Sequence, residues 1–303
     1  MNIIDTHHHL WDLERNSYPW LKRDVGHFAG DYSKIRRSYM VKDFLADAAT
    51  LPGGWQLVKS VHVQAEWDHE QDPVGETAWL QKVADSPGSK GVPNGIVAFA
   101  DLADPRVEDT LARHAKHKNW RGIRHMLNHS QDNPRLNFTP RGDLMADKHW
   151  RAGYRLLAKF NGSFDLQIWP WQLEAAARLT GDIPEVRVVL NHTGLPYARD
   201  AAAMRQWREG MKALAERPHV ACKISALGMA HRGWTTEFIR PFVEETISIF
   251  GADRCMFASN FPVDSLTSSY AAIWHAYDDI TSKLPQSDRQ KLFHDNAVRY
   301  YRV

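Results

Sequence analysis

Cysteine is nearly absent: Cys222 and Cys255 are the only two in 303 residues, and both lie in apolar runs. That excludes a disulfide framework and reads as buried free thiols in a reducing compartment. No run of the roughly 18 apolar residues that a membrane span requires occurs. The start, Met1-Asn2-Ile3-Ile4-Asp5, turns polar too early for a secretory leader. Charge of one sign is missing as well: 38 Lys and Arg stand against 36 Asp and Glu, a formal net charge of +2. Nothing in that balance attracts nucleic acid or an anionic membrane. Glycine-rich phosphate loops of the Gly-x-Gly-x-x-Gly or P-loop kind do not occur. What remains is 43% hydrophobic residues with 12 Trp, ample for a large core. The expectation is a cytoplasmic globular protein with a small-molecule partner, no nucleic-acid or membrane partner, and a homo-oligomer left open.

The chain alternates short apolar runs with helical patterns. The runs are Asn2–His7, Val58–Glu66, Gly95–Asp101, Arg121–Leu127, Phe164–Trp169, Val186–His192, Val220–Ser225 and Cys255–Phe261. Helical patterns separate most of them, and two more, about Ser268–Lys283 and Ser287–Tyr300, close the chain. Apolar strands alternating with helices mean a parallel sheet covered by helices. Eight such units without a Gly/Ser-rich linker predict α/β architecture: one (β/α)8 TIM barrel over residues 1–303, with an open doubly wound sheet as the competing topology. Two irregular stretches, about 11–39 and 128–146, follow strands 1 and 4 and are expected over the barrel mouth.

Active sites of such barrels form at the C-terminal strand ends, so polar residues there are informative. Asp5, His7 and His9 alternate at the end of strand 1 and are expected to face one way. Two imidazoles side by side are half a metal site, or a pair of proton-transfer and polarising groups. Their setting, Ile-Ile-Asp before and Leu-Trp after, argues against a tag remnant. On strand 2, His62, Gln64 and Glu66 are expected to look into the barrel, with Val61, Val63 and Ala65 on the helix side. Arg124 in an apolar strand suits an anion or a carbonyl, and an ion pair to a helix is its bland alternative. Gln167 and Trp169 are placed to line a pocket, and His192 ends strand 6. Lys223 is balanced between a site role and a packing ion pair. Asn260 and Asp264 stand where the last strand delivers its functional group.

This set resembles the amidohydrolase superfamily: Asp5-Thr6-His7-His8-His9-Leu10-Trp11-Asp12, Tyr18-Pro19-Trp20-Leu21, Val63-Gln64-Ala65-Glu66, Gly122-Ile123-Arg124-His125, Leu190-Asn191-His192-Thr193-Gly194 and Ser259-Asn260-Phe261-Pro262-Val263-Asp264. The resemblance spans nearly the whole chain. It is closest to the lactonase branch, with L-fuconolactonase, L-rhamnonolactonase, sulfomuconolactone hydrolase and pyrone-dicarboxylate lactonase. It implies hydrolysis of a cyclic ester, of a sugar acid or of an aromatic-catabolism intermediate, by water activated in the barrel mouth. Some members of that branch bind one divalent metal, often zinc, and some need none. The resemblance implies His7, His9 and His192, with Glu66, as the metal or carbonyl-polarising set. Arg124 is then the carboxylate or oxyanion binder, and Trp20, Gln64, His125, Trp169 and Gln172 are substrate contacts.

One position departs from the superfamily pattern. The usual Asp at the end of strand 8 is Asn260, and an amide cannot take a proton from water. The base is then expected at Asp264, with His192, Glu66 or a metal-bound hydroxide as alternatives. The competing functions are a metal-dependent C–N amidohydrolase, an aromatic-acid decarboxylase and a non-catalytic ligand-binding barrel.

Overall fold

The computed structural model describes residues 1–26, 28–229 and 231–303. Eight parallel strands follow one another around a sheet: β1 (Asn2–His8), β2 (Gln56–Val63), β3 (Gly95–Ala98), β4 (Trp120–Ile123), β5 (Ser163–Leu166), β6 (Arg187–Leu190), β7 (Val220–Ile224) and β8 (Cys255–Phe257). The ends meet through backbone bonds between the mouths of β8 and β1. The Asn260 N–H donates to the His7 carbonyl at 2.8 Å and the His9 N–H to the Phe261 carbonyl at 2.7 Å. A parallel bridge joins His8 and Phe261. The sheet is therefore a nearly closed (β/α)8 barrel, which rules out the open doubly wound alternative.

Helices wrap the outside at the positions their caps announce. Asp147 accepts from the His149 and Trp150 N–H groups to start Lys148–Lys159, and Asp200 caps Ala201–Ala215 in the same way. Side chains from Lys148–Lys159 then pack on β5: Trp150 and Tyr154 are fully buried against Phe164. Inside the barrel lies a second, smaller core of Val61, Val63, Val97, Val189, Ala221 and Met256. Tyr300 and Tyr301 join it from the C-terminal helix Asn296–Tyr301. Val303 lies beside Gly95, the first residue of β3, so the end of the chain plugs the N-terminal end of the barrel.

Two side-chain directions differ from expectation. Val61 and Val63 fill the barrel, whereas His62 points to the helix layer. There His62 Nδ1 accepts from the Leu10 N–H at 3.1 Å, and Nε2 stands 3.8 Å from Glu76 on the helix Val74–Asp85. Interior and helix side are both apolar in such a barrel, so alternation alone does not choose the phase. Asp5 also turns away from His7 and His9. The register with β2 shifts between Asp5 and His8, and this irregularity separates the directions of residues two apart. Asp5 accepts from Ser259 Oγ at 2.5 Å and Tyr270 OH at 3.1 Å. It is a buried structural carboxyl pushed up to about 6 by burial, against the pull of those hydrogen bonds.

Candidate active site

Most strand ladders stop short of their polar residues, which sit in the turns beyond. β2 ends at Val63, β6 at Leu190 and β8 at Phe257. Glu66, His192 and Asn260 then take left-handed backbone angles, with φ of 58°, 55° and 55°. Each costs a non-glycine residue conformational energy, and such outliers gather where function constrains the chain. The turn at His192 is held from outside: Trp207, fully buried, donates its indole N–H to the Thr193 carbonyl at 2.8 Å.

Three histidines meet at the mouth. The rings of His7 and His192 lie 4.4 Å apart and those of His7 and His9 5.0 Å apart. Burial, reinforced by neighbouring cationic groups including Arg124, holds all three well below the ordinary histidine range, so they are neutral. Their partners define what each can do. His9 Nδ1 lies 2.7 Å from the Val63 carbonyl, which only accepts; Nδ1 carries the proton and Nε2 presents a lone pair. His192 Nδ1 pairs with Ser225 Oγ at 2.9 Å, a hydroxyl that can donate or accept. Neither ring nitrogen of His7 has a hydrogen-bond partner among the described residues.

Arg124 is buried beside them. It donates to Gln167 Oε1 at 2.8 Å and to the Gln64 carbonyl at 2.6 Å, both neutral oxygens. Its charge is not cancelled by a contacting carboxylate among the described residues, and Nε has no partner. Glu66 lies close enough to act on that charge electrostatically. Gln64 grips Glu66 twice, Nε2 to Oε1 at 2.5 Å and Oε1 from the Glu66 N–H at 2.6 Å.

These groups open into a cavity of about 930 Å³. Its inner end is lined by His9, Glu66, Arg124, Gln167, His192 and Asn260, and Glu66 is its one carboxylate among the described residues. Trp20 also lines it, with its indole N–H on the Ala65 carbonyl at 2.9 Å. The segments after β1 and β4 form the outer walls, through Val25, Gly26 and Phe28 and through Asn133 to Phe138.

Several expected contacts are placed elsewhere. His125 faces the helix layer, accepting from the Trp150 indole at 3.3 Å, and burial pushes it down to about 4. Trp169 is fully buried and donates to the Leu136 carbonyl at 2.8 Å, so it supports the outer wall rather than facing the cavity. Gln172 is spent on backbone, bonding the Trp169 N–H, the His129 N–H and the Leu127 carbonyl. Gln64 acts through Glu66 and Arg124 instead of lining the cavity. Asp264 lies behind Asn260, whose amide donates to it at 2.7 Å, and burial pushes its carboxyl up to about 7. Lys223 pairs with Asp165 at 2.6 Å in the barrel interior, the packing ion pair of its two readings. Met126, Phe28, Tyr197 and Met229 line the cavity without having been singled out. They stand beyond the strands, where no periodicity marks a direction.

The four residues expected to hold a metal do not form one set. Neutral imidazoles are chemically suited to zinc. Yet among the described residues no group of three or more His, Cys, Asp or Glu side chains is arranged to hold a metal ion. The Glu66 carboxylate is turned to Gln64, and Asn260 supplies an amide where the carboxylate ligand would stand.

The amidohydrolase family model matches residues 4–303. A Sinorhizobium fredii protein designated y4mH is 48% identical over 302 residues, 99% of this chain and 98% of that one. An L-fucono-1,5-lactonase of Burkholderia multivorans is 27% identical over 311 residues, 98% of this chain and 95% of that one. Among solved structures, an amidohydrolase of Burkholderia multivorans with bound HEPES superposes with a TM-score of 0.81 at 25% identity, covering both chains completely. A crystal of an amidohydrolase from the same species with bound zinc gives 0.81 at 24% identity, again over both whole chains.

Proposed function

The chain belongs to the amidohydrolase family, and from that premise we propose that it is a lactonase opening the cyclic ester of a sugar acid with its own imidazoles and Arg124. The observation that carries this reading is the inner end of the cavity. There a buried, uncancelled guanidinium stands with neutral histidines, and the Val63 carbonyl sets the tautomer of His9. The distant L-fucono-1,5-lactonase relative supports the ester over other hydrolase substrates.

The lactone carbonyl lies at Arg124, which keeps N–H donors to spare beyond the two it spends on Gln167 and Gln64. Water attacks the carbonyl carbon while His9 Nε2, the lone pair fixed by the Val63 bond, takes its proton. The new oxyanion is stabilised by the Arg124 charge in a site of low dielectric. Collapse breaks the ring C–O bond. The departing alkoxide takes the Nε2 proton of His192, with the Ser225 hydroxyl donating to Nδ1. The proton on His9 then restores His192 through solvent, leaving the open hydroxy acid. No step runs through a metal ion, because the residues present do not gather as a metal set.

A pH-indicator screen of sugar and muconic-type lactones tests the reading. The wild type should open at least one. His192→Ala and His9→Gln should each lower kcat about 10²–10⁴-fold, and Arg124→Met about 10²–10³-fold. Full turnover by His192→Ala of every lactone that the wild type opens would refute the assignment. Amide hydrolysis or release of carbon dioxide, with no lactone opened, would replace it by the C–N hydrolase or the decarboxylase.

A further inference from the structure

The cavity extends outward beyond the space that a simple sugar lactone fills. Ligand pockets run from about 300 to 1,000 Å³ for drug-sized molecules, and this one, at about 930 Å³, stands near the upper end. A single lactone ring occupies only the inner end with the histidines, Arg124 and Gln167. Beyond it the walls change character. They include an aromatic cluster: Phe28 lies edge-on to Phe138 at 5.8 Å and to Trp169 at 5.3 Å. Tyr197 packs 5.5 Å from Trp169 and remains 38% exposed.

The segment after β4, which carries Phe138, also brings Asn133, Arg135 and Asn137 to the cavity. Asn133 Oδ1 accepts from the Arg135 N–H at 3.1 Å, and Asn137 Oδ1 from the Ser130 N–H at 2.6 Å. Each amide oxygen holds a backbone N–H while the amide N–H groups remain as donors, and Arg135 adds a guanidinium with no carboxylate partner among the described residues. Rings of Phe28, Phe138 and Tyr197 together with these N–H donors match a pyranose ring. Its apolar C–H face packs on aromatic rings, and its edge hydroxyl oxygens accept hydrogen bonds.

We propose that the outer part of the cavity is a glycosyl subsite, and that the substrate is the lactone of a disaccharide acid, with the lactone ring inside and a second sugar ring outside. This rests on the lactonase reading and names its substrate class. The reaction is the same: water adds to the lactone carbonyl, the ring ester C–O bond breaks, and the glycosidic bond stays intact.

The test compares lactones with and without a second ring. Purified enzyme is assayed on glucono-1,5-lactone, on cellobiono-1,5-lactone and lactobiono-1,5-lactone, which add a second sugar, and on dihydrocoumarin, whose second ring is aromatic. The expected result is a kcat/KM at least 10-fold higher for a glycosylated lactone than for glucono-1,5-lactone. Tyr197→Ala and the exposed Arg135→Ala should each pull that ratio at least 5-fold toward one. Equal or lower kcat/KM for both glycosylated lactones overturns the subsite while leaving the lactonase reading intact. So does a ratio that neither variant moves, or a preference for dihydrocoumarin. If none of these lactones nor any of the wider screen is opened, the lactonase reading falls and the subsite with it.

Discussion

At the residue scale, burial decides which groups do chemistry and which hold the frame. Asp264 was the expected base, yet it sits behind Asn260 with its carboxyl raised to about 7 by burial. The sign of its effect on stability follows. Unfolded, the carboxyl ionises near its ordinary 3.8; folded, near 7. Between those values the folded state binds more protons, so stability falls as pH rises through that window. Asp264→Asn keeps the shape and removes the titration. Denaturant melts at pH 5 and pH 8 should therefore show the variant gaining on wild type toward pH 8, by about 2–4 kcal/mol in all. A difference independent of pH would show that the group does not titrate in this range. His7, His9, His192 and Arg124 were legible because each ends an apolar strand, where a polar residue needs a reason. The direction of Asp5 is not legible in the sequence, because a shift of register leaves no mark in the alternation of residue types.

At the scale of elements, the strands make the cradle and their neighbours fix it. β5 and β7 are pinned inside the barrel by Asp165 and Lys223, 2.6 Å apart and both fully buried. Tyr301 donates to the Asp165 carboxylate at 2.9 Å, and Asn191 Nδ2 at 3.0 Å. The last helix is thus tied to the strands beneath the site. Lys223→Met strands a buried carboxylate and should cost about 3–5 kcal/mol in an unfolding experiment. The double variant Lys223→Met/Asp165→Leu should recover part of that loss. A Lys223→Met protein as stable as wild type would mean that the pair is not the pin.

Element order and type were readable from the period of the apolar residues, and the helix Ala201–Ala215 starts and stops where its caps lie. The ends of β2, β6 and β8 were not. Their turns are set by contacts such as that of Trp207 with Thr193, which bring together residues far apart in the chain. The phase of β2 was open for a related reason, since both of its faces meet apolar layers.

At the scale of the whole molecule, the fold brings three separated segments to one mouth and walls them with the two long insertions. The barrel was foreseeable from eight repeats. The size of the cavity was not, because it depends on how residues 11–39 and 128–146 fold over the opening. In the proposed mechanism the imidazoles and Arg124 suffice to open the ester. The most direct measurement is the rate of lactone opening by protein treated with a strong chelator and verified free of metal by elemental analysis. Metal-free enzyme is predicted to keep kcat/KM within about twofold of untreated enzyme, with no gain on adding zinc. Loss of activity on chelation, restored by one equivalent of zinc per chain, would overturn the metal-free mechanism and return His7, His9 and His192 to the role of metal ligands.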